Sequence, residues 1–212
     1  MTTRVKICGI TRPDDARAAV AAGASAIGMV FWPRSPRSVT TERAAEIAAA
    51  AGPGVTKVGV FVDQPPAVVA EIVARVGLDA VQLHGHERIA DYQLGMPLLK
   101  AISVGAAWHL GMLDPLPASV LPLLDAGDDR RKGGTGLAID WELAAAAAAN
   151  RRIVLAGGLK AENVATAIAM VRPYAVDVSS GVESAPGIKD EARIRAFVDA
   201  VLTTGSVPGR LF

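Results

Sequence analysis

"PAVVAEIVARVGLDAVQLH", residues 66–84, holds a whole folding unit in nineteen residues. Pro66 opens a stretch whose apolar residues recur at helical spacing as far as Val76. Gly77-Leu78-Asp79 breaks that pattern, and Ala80–His84 is a short apolar run of strand type. Two other places make the same transition. Gly23-Ala24-Ser25-Ala26-Ile27 and Arg172-Pro173-Tyr174-Ala175-Val176 each end a helix, turn, and enter a strand through Ala followed by a β-branched residue. The chain is therefore read as a repeat of βα units.

Extending that reading in both directions predicts eight strands, Val5–Gly9, Ala26–Phe31, Lys57–Val62, Ala80–His84, Leu98–Ser103, Val120–Asp125, Arg152–Ala156 and Ala175–Ser179. Helices are predicted over Pro13–Ala22, Thr41–Ala51, Pro66–Val76, Glu87–Leu94, Trp141–Ala149, Ala161–Val171 and Asp190–Leu202, each opening on a residue that suits a helix N-terminus. The fifth connection, 104–119, is broken by Gly and Pro, so its helix is expected to be short or irregular. Near-continuous apolar strands imply burial on both faces, hence a parallel sheet covered by helices. Eight units in 212 residues fit an α/β fold of the single (β/α)8 barrel type, at its small end, with a doubly wound open sheet as the alternative. No linker or shift in composition divides the chain, so residues 1–212 are expected to form one domain. Residues 205–212 form a C-terminal tail whose apolar end, Leu211-Phe212, has no assigned place.

Composition narrows the function. The 22 basic and 21 acidic side chains leave a net charge of +1 without long blocks of either sign, and aromatics make up only 4 %. That argues against a nucleic-acid footprint. Although 51 % of residues are apolar, they come in short runs, and no stretch of eighteen could span a bilayer. Met1-Thr2-Thr3-Arg4 enters strand pattern without a signal-peptide core, so a soluble cytoplasmic protein is expected. One Cys excludes an internal disulfide, and three His without a neighbouring Cys argue against zinc.

In a (β/α)8 barrel the reactive groups sit where the strands end, because the loops there line one mouth. Those positions hold Cys8, Ser35 and Arg37, Asp63, His84, Ser103, Asp125, Gly157-Gly158 and Ser179-Ser180-Gly181. A lone Cys is ordinarily a small buried hydrophobe. At a polar mouth, however, a thiol with lowered pKa can act as a base. Asp125 closes the otherwise apolar "VLPLLD" (120–125), where a carboxyl group either caps a turn or is perturbed enough to hold a proton. Together the two make an acid/base pair. "LAGGL" (155–159) and "DVSSGVE" (177–183) follow strands seven and eight, where barrels commonly bind phosphate, and "GGTG" (133–136) follows strand six. The planar fork of Arg37 suits a carboxylate, or simply solvent. His84 is expected to be hydrogen-bonded at its strand end and His86 to face solvent.

These residues resemble the phosphoribosylanthranilate isomerase family of tryptophan biosynthesis. The resemblance runs in order through "KICGIT" (6–11), "GMVF" (28–31) with "SPR" (35–37), "VGVF" (58–61), "VQLHG" (81–85), "LLD" (123–125), "GGTG" (133–136), Asp140-Trp141, "GGL" (157–159), Asn163-Val164 and "DVSSGVE" (177–183). It implies a barrel enzyme without a cofactor or metal. Its substrate would be the small molecule N-(5-phosphoribosyl)anthranilate, converted to 1-(2-carboxyphenylamino)-1-deoxyribulose 5-phosphate by an Amadori rearrangement. With the composition above, no nucleic-acid or membrane partner is expected, and the oligomeric state is left open between monomer and homodimer. By resemblance Cys8 is the general base, favoured as a thiolate, and Asp125 the general acid. Arg37 would hold the anthranilate carboxylate and Asp177 a sugar hydroxyl, with the phosphate held around Gly157, Gly158, Ser179, Ser180 and Gly181. His84 completes the substrate contacts. Rival readings are a phosphate-ligand-binding barrel without catalysis and a related sugar-phosphate isomerase. The latter commonly pairs two aspartates where strand one here offers Cys8.

Overall fold

Strand β1 (Arg4–Ile7) hydrogen-bonds to β2 (Ala26–Val30) on one side and to β8 (Ala175–Val178) on the other. That double pairing closes the sheet and excludes the open, doubly wound alternative. Between them run β3 (Thr56–Phe61), β4 (Ala80–Leu83), β5 (Leu98–Val104), β6 (Val120–Ala126) and β7 (Val154–Leu155), all parallel, in sequence order. The computed structural model describes residues 2–105, 107–126, 140–206 and 209–212.

The period-two alternation of each strand sorts its side chains onto two sides of the barrel wall. Ala26, Val58, Ala80, Leu99, Leu121, Leu123, Val154, Ala156 and Ala175 point inward and pack together. Their chain neighbours Ile27, Val81, Leu83, Leu124, Leu155 and Val176 point outward into the shell of helices. No helix among the described residues is long and apolar enough to cross a membrane.

Among the described residues six α-helices cover the wall: α1 (Pro13–Ala22), α2 (Thr41–Ala51), α3 (Pro66–Val76), α4 (Trp141–Asn150), α5 (Ala161–Val171) and α6 (Glu191–Leu202). Their ends follow the local chemistry. Pro occupies the first turn of α1 and α3, while Thr40, Asp140 and Asp190 accept backbone N–H bonds at the starts of α2, α4 and α6. Helices α1 and α3 stop at Gly23 and Gly77, both left-handed.

The helix expected over Glu87–Leu94 is not formed, and only a 3₁₀ turn, Ile89–Asp91, lies there. Glu87 does not serve as a first-turn acid. Its buried carboxylate accepts N–H bonds from Asp63 and Gly85 and pairs with Lys100 Nζ at 2.6 Å, pinning the loop. Gly95 and Pro97 follow too soon for the remaining residues to nucleate a helix. The fifth connection is irregular as expected, with a 3₁₀ segment at Leu110–Leu113.

One feature lies outside the sequence expectations, and one unassigned segment, open between packing on the barrel floor and mediating a contact, finds its place on the floor. A small antiparallel hairpin, β9 (Glu183–Ala185) and β10 (Ile188–Lys189), follows β8. The tail turns under the barrel. Leu211 is fully buried against the inward-facing floor, its N–H donating to Thr56 Oγ1 and its carbonyl accepting from Tyr174 Oη. Arg210 pairs with Asp79 at 3.2 Å beside it. The unassigned end of the sequence is therefore a plug for the base of the barrel.

Candidate active site

The strand ends open on a cavity of about 510 Å³, lined among others by Cys8, Trp32, Arg37, His84, Asp125, Gly157, Gly158, Asp177, Ser179 and Ser180. Three strand-end residues do not line it: Asp63, Ser103 and Gly181. Asp63, at φ 56°, accepts from the His86 N–H, and Ser103 is exposed. His86 faces solvent, as expected. "GGTG" (133–136) lies outside the described residues.

Cys8 follows the last residue of β1, and its N–H still bonds to Val178 O at 2.8 Å, so the side chain keeps the inward direction of Lys6. Lys6 is one residue whose role the sequence reading missed. It is fully buried inside the barrel, where its Nζ pairs with Asp177 Oδ1 at 2.9 Å across the β1–β8 register. Burial pulls the ammonium down, but Asp177 and the neighbouring thiol outweigh it and hold Lys6 at about 12. A signal was present: a lysine inside an apolar strand, two residues before Cys8, must share its face.

Burial pushes the Cys8 thiol above its ordinary value, and Lys6 opposes that push while Asp177 adds to it. The expectation of a site that favours the thiolate is not what the surrounding side chains give. Withdrawal from water outweighs the cation. Asp125 points inward from β6 and is pushed up to about 6, by burial first and by the Asp177 charge second, against an Ala126 N–H bond and Lys6. His84 Nε2 stands 3.6 Å from Asp125 Oδ2, too far for a good hydrogen bond, while its Nδ1 lies 2.9 Å from Gln82 Nε2.

Arg37 reaches the cavity with its fork already engaged, because Nε and Nη2 donate to the two Glu183 carboxylate oxygens at 2.7 Å each. It is neither a solvated arginine nor an open clamp, and the Nη1 edge stands outside this pair. Glu183 also takes Lys189 Nζ at 2.8 Å, and Lys189 donates to the Ser179 carbonyl at 3.0 Å. Burial raises Glu183, but Arg37 and Lys189 overcome it and hold the carboxyl below its ordinary value. Sequence reasoning named Arg37 and missed both partners. Glu183 closes the quoted "DVSSGVE" motif, whereas nothing local marks Lys189.

Glycine geometry shapes the opposite wall. Gly157 and Gly158 adopt φ 84° and 66°, and a Cβ on Gly157 would lie 2.5 Å from Ala126 N. Gly181 lets the turn after β8 press against Leu159 O, where a Cβ would come within 2.1 Å. It therefore packs behind the cavity and does not line it. The site thus offers a thiol, a protonatable carboxyl group and two small-residue turns around one hollow, which Arg37 and the partly buried Trp32 also line.

Comparison with known proteins follows the same lines. The family model of N-(5'phosphoribosyl)anthranilate (PRA) isomerase matches residues 5–200. A curated N-(5'-phosphoribosyl)anthranilate isomerase from Pseudomonas paraeruginosa is 50 % identical over 204 residues, covering 95 % of this chain and 96 % of that protein. Among solved structures, phosphoribosyl anthranilate isomerase from Thermus thermophilus superposes with a TM-score of 0.86 at 40 % identity, covering 95 % of this chain and 99 % of that one. A phosphoribosyl anthranilate isomerase in complex with reduced 1-(o-carboxyphenylamino)-1-deoxyribulose 5-phosphate gives 0.82 at 38 % identity, over 95 % of this chain and 100 % of that one.

Proposed function

The chain belongs to the N-(5'-phosphoribosyl)anthranilate isomerase family, and from that premise we propose that it catalyses the Amadori rearrangement of N-(5'-phosphoribosyl)anthranilate in tryptophan biosynthesis, with Cys8 as general base and Asp125 as general acid. One observation carries the residue assignment: thiol and carboxyl group, from β1 and β6 on opposite sides of the barrel, open on the same 510 Å³ cavity.

Asp125 gives its proton to the furanose ring oxygen while the anilino nitrogen pushes its lone pair toward C1′, opening the ring to an iminium cation. The Cys8 thiolate then removes the C2′ proton. The electrons of that C–H bond form the enolamine double bond and neutralise the iminium, and tautomerisation yields the ketone. Each group suits its step. Held near 6, Asp125 keeps a usable protonated fraction at neutral pH. The buried thiol resists ionisation until positive charge builds on the substrate beside it.

The turns Gly157–Gly158 and Ser179–Ser180 suit the phosphate, with Gly181 holding the second turn against its neighbour. Arg37, oriented by Glu183, presents its remaining edge to the anthranilate carboxylate, and Trp32 offers a flat apolar surface to the ring. His84 and Asp177 border the sugar between the two charged ends. Fixing both ends brings the middle of the substrate to acid and base together. The enzyme works as one catalytic unit over residues 1–212, needs no cofactor, and acts as a monomer or homodimer in the cytoplasm.

The test follows loss of anthranilate fluorescence with purified protein. Wild type turns the substrate over, whereas Cys8→Ala and Asp125→Asn each lose activity by a factor on the order of 10² or more while the fold is kept. Full activity in either variant refutes the assignment.

A further inference from the structure

A lysine and an aspartate buried together in the middle of a barrel do little for stability. Removing two charges from water costs about as much as their attraction returns, and apolar replacements of similar volume often serve as well. Yet Lys6 is 0 % exposed and Asp177 8 %, directly above a floor of apolar side chains.

The pair sits directly below Cys8. Lys6 and Cys8 share the inward face of β1, two residues apart, and both side chains converge over Gly28 of β2. A Cβ on Gly28 would meet Cys8 Sγ at 2.9 Å and Lys6 Nζ at 3.1 Å. The absence of a side chain there creates the space in which ammonium and sulfur meet. Asp177, at the matching register position of β8, holds the ammonium from the far side at 2.9 Å.

We propose that Lys6 is a positioning residue for proton abstraction: its ammonium, fixed by Asp177 beneath Cys8, stabilises the thiolate on which the base function depends. Lys6 touches neither substrate nor reacting carbon and acts through the sulfur. Other charges facing the thiol are Lys189 of β10, in contact with Glu183, and Arg37. Both are tied to Glu183, whereas Lys6 Nζ and Cys8 Sγ converge on one point above Gly28. The Asp177 carboxylate has two effects of opposite use. It holds Lys6 in place, and its own charge raises both Cys8 and Asp125. A single buried ion pair thereby sets the ionisation of base and acid together.

The catalytic part of this proposal rests on Cys8 being the base of the isomerase, but the thiol itself is read without substrate. Cys8 is the sole cysteine, so alkylation by iodoacetamide, followed by mass against pH, reports that one group. In Lys6→Met the midpoint of the alkylation profile rises by about one pH unit or more, an on-the-order-of tenfold slower reaction at neutral pH. In Asp177→Asn the midpoint falls, because the opposing charge is gone. Should Lys6→Met alone fail to fold by circular dichroism, the Lys6→Met/Asp177→Asn double variant leaves no unpaired charge, and its midpoint also rises. For the folded Lys6 variant kcat drops by about tenfold or more while KM changes by less than about threefold. A midpoint unchanged or lowered in the double variant overturns the proposal. Absence of isomerisation by the wild type instead overturns the catalytic reading, and the alkylation profiles still decide the role of Lys6.

Discussion

The pH–rate profile should show an acid and a base working in the less populated arrangement of a shared proton. The productive form has its proton on Asp125 and none on Cys8. With the carboxyl group at about 6 and the thiol pushed above its ordinary value, the dominant one-proton form is the reverse. The ratio between those two arrangements does not depend on pH. Activity is therefore flat wherever the pair carries one proton. It falls below about 6, where both groups are protonated, and falls again above the raised thiol value, where neither is. At pH 5 kcat/KM should be about one tenth of the plateau, since one pH unit is a factor of ten. Without the shift from 3.8 to about 6, the protonated fraction of Asp125 at neutral pH would be about a hundredfold smaller. The assay is the initial rate of fluorescence loss at low substrate over pH 5–10. A substrate phosphate also titrates near 6, so the acid limb is assigned with Asp177→Asn, which removes the charge holding Asp125 up and moves an enzyme limb, but not a substrate limb, to lower pH. An acid limb that stays in place in that variant, or activity that climbs as pH falls from 7 to 5, refutes the reasoning.

Two further substitutions probe the frame around the site. Leu211→Ala should lower unfolding free energy by about 3 kcal/mol in urea titration, since it empties a fully buried position in the barrel floor; a loss under about 0.5 kcal/mol would show that the tail is not a plug. Glu183→Gln frees the Arg37 fork and leaves buried Lys189 without its carboxylate, so KM should rise about tenfold with a smaller change in kcat, and an unchanged KM would contradict the orienting role of this pair.

Much of the barrel was legible because its strands are short, near-continuous apolar runs and its helices carry local stop and start signals. Gly23 and Gly77 end helices through their own backbone freedom, and Asp140 and Asp190 begin them through their own side chains. Glu87 shows where this fails. Its residue type suits a helix start, but its carboxylate is spent on backbone 24 residues away and on Lys100. The site divides the same way. Cys8, Asp125 and the glycine turns were readable from their place at strand ends. The partner of Arg37 lies 146 residues away, beyond any local pattern. The protonation preference of Cys8 was missed because it is a balance of burial against Lys6, and a sequence displays the cation more readily than the burial.

The β9–β10 hairpin carries a consequence for what the enzyme can recognise. Thr11 bonds to the Gly187 carbonyl, Arg12 to the Lys189 carbonyl and Arg37 to Glu183, while Lys189 reaches back to Ser179 beside the phosphate turn. If the proposed assignment holds, the carboxylate grip at Arg37 and the phosphate turn at Ser179 share one brace, like the jaws of a locked caliper. An adduct one carbon shorter or longer than a pentose phosphate is then expected to turn over more slowly, because it would seat in one jaw and miss the other.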